Sequence, residues 1–102
     1  VMPGYNVVGY ETLTVAASAV SLTGATTGLS FVGRLETAQI RARGDGTAPT
    51  SSEGVLINVG DSVVLSESEI RATEFIRTGS SSGVLKGQFY STDVSMFSGG
   101  GL

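Results

Sequence analysis

The sequence predicts an all-β domain: an antiparallel β-sandwich of about six to eight strands, with a jelly roll among the topologies it admits. Three observations predict it. Short stretches of alternating apolar and polar residues recur between Arg34 and Tyr90. Clusters of Gly, Asp, Asn, Pro, Ser and Thr separate them, as turns require. The stretches themselves are rich in β-branched and aromatic residues, which suit a pleated, half-buried surface.

The elements follow in chain order. Residues 1–9 read as an N-terminal arm, because Pro3 and Gly4 disfavour a helix while Tyr5, Val7 and Val8 are more apolar than a free tail. Such an arm is expected to lie against its own domain or a neighbouring subunit. The sandwich is assigned to 10–91. Its first strand, from Tyr10 to Ala16, puts Leu13 and Val15 on the face of Glu11, with Tyr10, Thr12 and Thr14 opposite. Residues 17–22 are small and apolar, fitting either a turn of helix or a continued strand, and 24–28 form a loop.

The longest strand expected runs from Leu29 to Arg43. Phe31 and Leu35 share one parity, and Val32, Ala38, Ile40 and Ala42 share the other. A bulge at Gly33 would reconcile the two. Residues 55–59 and 62–65 flank a Gly60-Asp61 turn. A further strand is expected over 69–77, with both faces partly covered as in a central strand, and the strand from Val84 to Tyr90 closes the series. The last segment, 92–102, is a Gly-rich tail in which Met96 and Phe97 are apolar anchors.

Composition narrows the function classes. The chain has 102 residues, enough for one domain and one core. Charged residues make up 15%, against about 25% in an average domain, so much of the surface suits burial against neighbours. The net charge of −3 and the lack of a basic stripe argue against phosphate-driven nucleic-acid binding. No apolar run approaches the ~20 residues a membrane helix needs, and the first residues lack the pattern of a signal peptide.

Without cysteine or histidine, the chain cannot build disulfides, thiolate chemistry or a Ser-His or Cys-His nucleophile pair. A Ser-Lys pair would have to use Lys86, which no motif supports. Glu67 and Glu69 lie in a polar turn with no aromatic platform for glycoside chemistry. Asp45, Glu53, Asp61, Glu67 and Asp93 are scattered without calcium-ligand spacing. Gly24, Gly28 and Gly33 lack the strand-to-helix setting of a phosphate cradle. No enzyme activity, cofactor or metal is expected.

Two features bear on binding. Arg43-Gly44-Asp45 spells a tripeptide that some cell-surface receptors read, but Asp45-Gly46 is a turn signal in its own right, and the turn is the stronger reading. The hydroxyls of 47–53 are expected to bond the backbone. Arg41, Arg43, Arg71 and Arg77 are expected first as partners of Glu36 or Glu74 across a sheet. The alternative is a protein-contact surface, for which arginine is favoured over lysine. Tyr5, Val7, Val8, Met96 and Phe97 complete the candidate partner contacts.

Residues 34–90, a little over half of the chain, resemble a group of small virion structural proteins of tailed bacteriophages. The resemblance is carried by the strand from Glu36 to Arg41, the turn from Asp45 to Thr50, Val55-Leu56, and Gly60-Asp61 before a Val-rich strand. Phe75-Ile76-Arg77 and the closing strand from Leu85 to Tyr90 complete it. Ala42 stands where the pattern has an aromatic residue. The resemblance implies a particle component located in the virion and assembled in the host cytoplasm, with the major capsid protein or other virion proteins as partners.

A capsid decoration or cement protein is the first expectation, strengthening a shell through many weak contacts. It would be a homo-oligomer, with a trimer as one form, and would need neither nucleic acid nor membrane. The alternatives are a neck or tail component, or a receptor- or carbohydrate-binding module on the virion surface.

Overall fold

The computed structural model describes residues 5–24 and 29–92. Within them lie β1 (Tyr5–Val15), β2 (Leu29–Glu36), β3 (Ile40–Arg43), β4 (Val55–Ile57), β5 (Ser62–Leu65), α1 (Glu67–Ala72), β6 (Glu74–Arg77) and β7 (Gly83–Thr92). They form two antiparallel sheets, one ordered β1-β7-β2-β5 and the other β4-β3-β6. The all-β sandwich expected from the sequence is the fold observed.

The second sheet gains a further element at Val20. The Val20 N–H donates to the Phe75 carbonyl at 2.9 Å, and the Phe75 N–H donates back at 2.7 Å. That bridge occupies the edge of β6 away from β3. If Val20 is taken as the second of eight elements, first pairs with eighth, second with seventh, third with sixth and fourth with fifth. This is a long hairpin rolled into two sheets, the order of a jelly roll.

Alternation explains how the sheets meet. In β2, Leu29, Phe31, Gly33 and Leu35 are buried while Val32, Arg34 and Glu36 face outward. The Phe31 and Phe89 rings meet at 5.2 Å with a 57° tilt, a favourable aromatic geometry. Gly33 and Gly87 pair directly across β2 and β7. A side chain at either would run into the Phe31 ring, so the glycine pair is the seat on which that ring lies. Phe31, Leu35, Ile40, Ile70, Phe75, Leu85 and Val15 are fully enclosed and join the two sheets into one core.

Three expectations are corrected. The strand expected from Leu29 to Arg43 is two strands in different sheets. The parity switch is real, but it falls at a corner after Glu36 rather than at a Gly33 bulge. Thr37 takes φ 74°, unusual for a β-branched residue, and its hydroxyl lies 2.6 Å from the Glu36 carbonyl and 2.9 Å from that of Ser82.

The strand expected over 69–77 begins only at Glu74. Residues 67–72 are helical because Ser66 and Glu69 form a capping box, with the Ser66 N–H donating to Glu69 Oε1 at 2.8 Å. Glu67 and Glu69 in the first turn and Arg71 in the last suit the helix dipole. Six residues do not hold a helix alone; burial of Ile70 anchors it.

The arm expected over 1–9 is a strand from Tyr5 onward. β1 pairs with β7 from Tyr5↔Thr92 to Val15↔Gly83, with a bulge between Val7 and Gly9. The segment is thus a strand of its own sheet in which Val7 and Val8 keep exposed side chains, and Thr92 belongs to β7 rather than to the tail. Residues 1–4 and 93–102 lie outside the described residues.

Candidate interaction surface

The candidate contacts do not converge. Tyr5 opens β1, and Val7 and Val8 are exposed farther along it. Arg41 and Arg43 project from β3 on the face away from buried Ile40 and Ala42. Arg77 pairs with Ile40 and so lies on the opposite face. Arg71 is on the helix. Met96 and Phe97 lie outside the described residues.

Three arginines have local structural work, though not with the expected partners. Arg41 donates from Nε to the Ser51 carbonyl at 3.1 Å and from Nη1 to that of Gly54 at 2.9 Å. It thereby holds both ends of the second half of the loop between β3 and β4. Arg43 Nε meets Asp45 Oδ1 at 2.8 Å, and Arg71 meets Glu67 one helical turn away at 3.4 Å. Glu36 pairs instead with Lys86 at 3.5 Å. Neither Glu36 nor Glu74 is within ion-pair distance of any of the four arginines: Glu74 stands directly opposite Arg43 across β6 and β3, but the Arg43 guanidinium turns to Asp45 instead.

The Arg43-Gly44-Asp45 tripeptide is closed on itself. The Asp45 carboxyl sits below its ordinary value, first through the hydrogen bond from Arg43 and then through that from the Thr47 N–H. Gly46 at φ 92° completes the turn. Asp45 is therefore a loop-forming residue, as its sequence setting implied. Farther along the same loop, Thr50 Oγ1 accepts from the Ser52 and Glu53 amides, the expected use of its hydroxyl.

Of the exposed large apolar side chains, Val7 and Val8 are among the expected contacts and the others are not. Val7, Val8 and Tyr10 line β1, one edge of the four-stranded sheet. On the other side are Val64 of β5, Val55 and Leu56 of β4, and Val59 in the following turn. Val55 is 70% exposed and Val64 66%. One signal was available: in Val63-Val64, neighbours on a strand point to opposite faces, so only one can enter the core.

Between Val64 and Tyr10, a single row crosses the whole outer face. Tyr10 pairs with Gln88, Gln88 with Val32, and Val32 with Val64. The Tyr90 hydroxyl donates to Gln88 Oε1 at 3.0 Å. The row is uncharged from edge to edge.

A cleft of about 710 Å³ opens on the β4–β5 side. Ala42, Ile57, Val63, Leu65 and Phe75 supply its apolar walls, while Arg43, Asp45, Glu53 and Glu69 stand among its polar lining. Glu69 sits below its ordinary value, chiefly because the Ser66 backbone N–H holds its charged form. No cluster of three His, Cys, Asp or Glu that could hold a metal ion occurs among the described residues. Nor is any described helix long and apolar enough to cross a membrane. No family model, curated protein or solved structure matches the chain.

Proposed function

We propose that this chain is a non-enzymatic virion structural protein, a decoration or cement component that bridges subunits of a bacteriophage head. The observation that carries the reading is the placement of its exposed apolar side chains on both lateral edges of one sandwich. A subunit with contact surfaces on two sides can touch two neighbours at once. Repeated over a shell, modest contacts sum to a large stabilisation. The uncharged row between the edges fits repeated protein contact, and the jelly-roll order is one that capsid proteins share with lectins.

Cosedimentation with shells lacking the protein tests it. Saturable binding at a stoichiometry set by the shell lattice, with a raised disruption temperature, is expected. Absence of shell binding would turn the reading toward a neck or tail position.

A second reading has its own observation. Tyr10 and Tyr90 flank Gln88 on the outer face, which places aromatic rings beside an amide as in a sugar platform. A glycan-array screen, with Tyr10→Ala as control, decides it.

A further inference from the structure

The cleft between β4 and β5 is the place of a missing strand. Both strands end their sheets on this side, so each presents backbone N–H and C=O groups that no neighbouring strand among the described residues takes up. The turn at 58–61 closes one end, and α1, packed on β2 and β5, closes the other. Enclosed Phe75 forms part of the wall. An apolar cleft beside an unpaired strand edge is the geometry into which an extended segment adds, with backbone pairing for affinity and alternate side chains in the cleft.

We propose that residues 93–97 of a second copy of this chain add as an antiparallel strand to β5. The length fits: β5 has four residues, about 13 Å at ~3.3 Å each. The composition fits as well. Between Thr92 and the Ser98–Gly101 run, the apolar residues are Val94, Met96 and Phe97. Val94 and Met96 share one parity. Set antiparallel, Met96 faces Val63 and Val94 faces Leu65, both buried cleft residues. Ser95 then stands opposite exposed Val64. Methionine suits an irregular apolar space.

Chain length decides between the same copy and a second one. Val94 is two residues beyond Thr92, a reach of about 7 Å at full extension. A strand added beside β5 lies three strand spacings from β7 in the order β7-β2-β5, about 14 Å. The segment cannot take this register in its own sandwich, so the donor is another molecule. The contact is heterologous and propagates as a ring or an open chain unless two copies exchange segments.

Purified full-length protein tests this by sedimentation equilibrium, with no shell present, so it can fail or hold separately from the particle role. Wild type should self-associate. Met96→Asp removes the donor, and Val55→Asp charges the cleft rim at an exposed position. Each alone should sediment as a monomer, with association weakened at least tenfold. Mixed equally, they should form a one-to-one heterodimer, since the first keeps an intact cleft and the second an intact donor segment. In the cysteine-free chain, the double variant Val64→Cys/Ser95→Cys should form intermolecular disulfides. This second measurement stands even if a charged variant fails to fold. A monomeric wild type, a heterodimer that does not form, or a double variant that stays uncrosslinked overturns the proposal.

Discussion

The two lateral sides of the sandwich are built from the same kinds of residue and end differently. On one side the chain leaves β1 and runs directly along β6. The Ala16 carbonyl accepts from the Arg77 N–H at 3.1 Å, and Val20 exchanges two hydrogen bonds with Phe75. On the other side β4 and β5 are joined by the turn at 58–61, and nothing among the described residues takes up their outer edges. Side closure depends on where the chain crosses between sheets. A crossing that runs along an edge satisfies it; a crossing at the strand ends leaves the edge open. An unpaired edge is a template for another chain, and the open side offers one.

Phe75 belongs to both sides, since its backbone bonds Val20 and its side chain lines the cleft. Phe75→Ala should therefore give the largest loss of the four changes considered, about 3–5 kcal/mol by denaturant unfolding. A loss confined to the cleft, with little change in global stability, would break the view that one core serves both sides.

Gly87→Ala probes the four-stranded sheet away from either edge. The added methyl meets the Phe31 ring and the backbone of β2, and overpacking of this kind costs about 1–3 kcal/mol. A neutral result in thermal unfolding would show that the ring has another seat.

Val20→Pro removes the donor that closes the β6 edge. The lost bond is worth about 1 kcal/mol, and hydrogen exchange at the Phe75 amide should quicken. Unchanged exchange would mean that the closed side does not depend on this bridge.

The smallest effect is that of pH. Glu69 and Asp45 sit below their ordinary values of 4.5 and 3.8, so the folded state favours their ionised forms. Their contribution is present above those values and lost as pH falls through the depressed ones. Carboxyl titration by NMR should show both depressions, and Arg43→Ala should return Asp45 toward 3.8. An Asp45 titration unmoved by that change would remove Arg43 as the main cause.

Strand existence was legible where alternation was clean. Leu13 and Val15 in β1, Phe31 and Leu35 in β2, and Ile40 and Ala42 in β3 are all buried as their parity implied. The helix at 67–72 was legible too, through the Ser66-x-x-Glu69 signature, but a six-residue helix is easily masked by an alternating run that continues into β6. The exposed row of Tyr10, Gln88, Val32 and Val64 was only half legible. Parity in the sequence gave Tyr10 a face opposite Leu13 and Val15 but grouped Val32 with Ile40 and Ala42, and nothing local says that four strands distant in sequence set these residues side by side.

Composition and periodicity alone settled the all-β class, the inward-facing Leu13, Val15, Phe31, Leu35, Ile40 and Ala42, the Asp45-Gly46 turn and the lack of a histidine or cysteine nucleophile, because these depend on residue type and on spacing within a few positions. The jelly-roll order, the break at Thr37, the pairing of Val20 with Phe75 and the open β4–β5 side were decided by tertiary structure. They depend on which strands meet across the core, and burial and backbone pairing choose among registers that are locally equivalent.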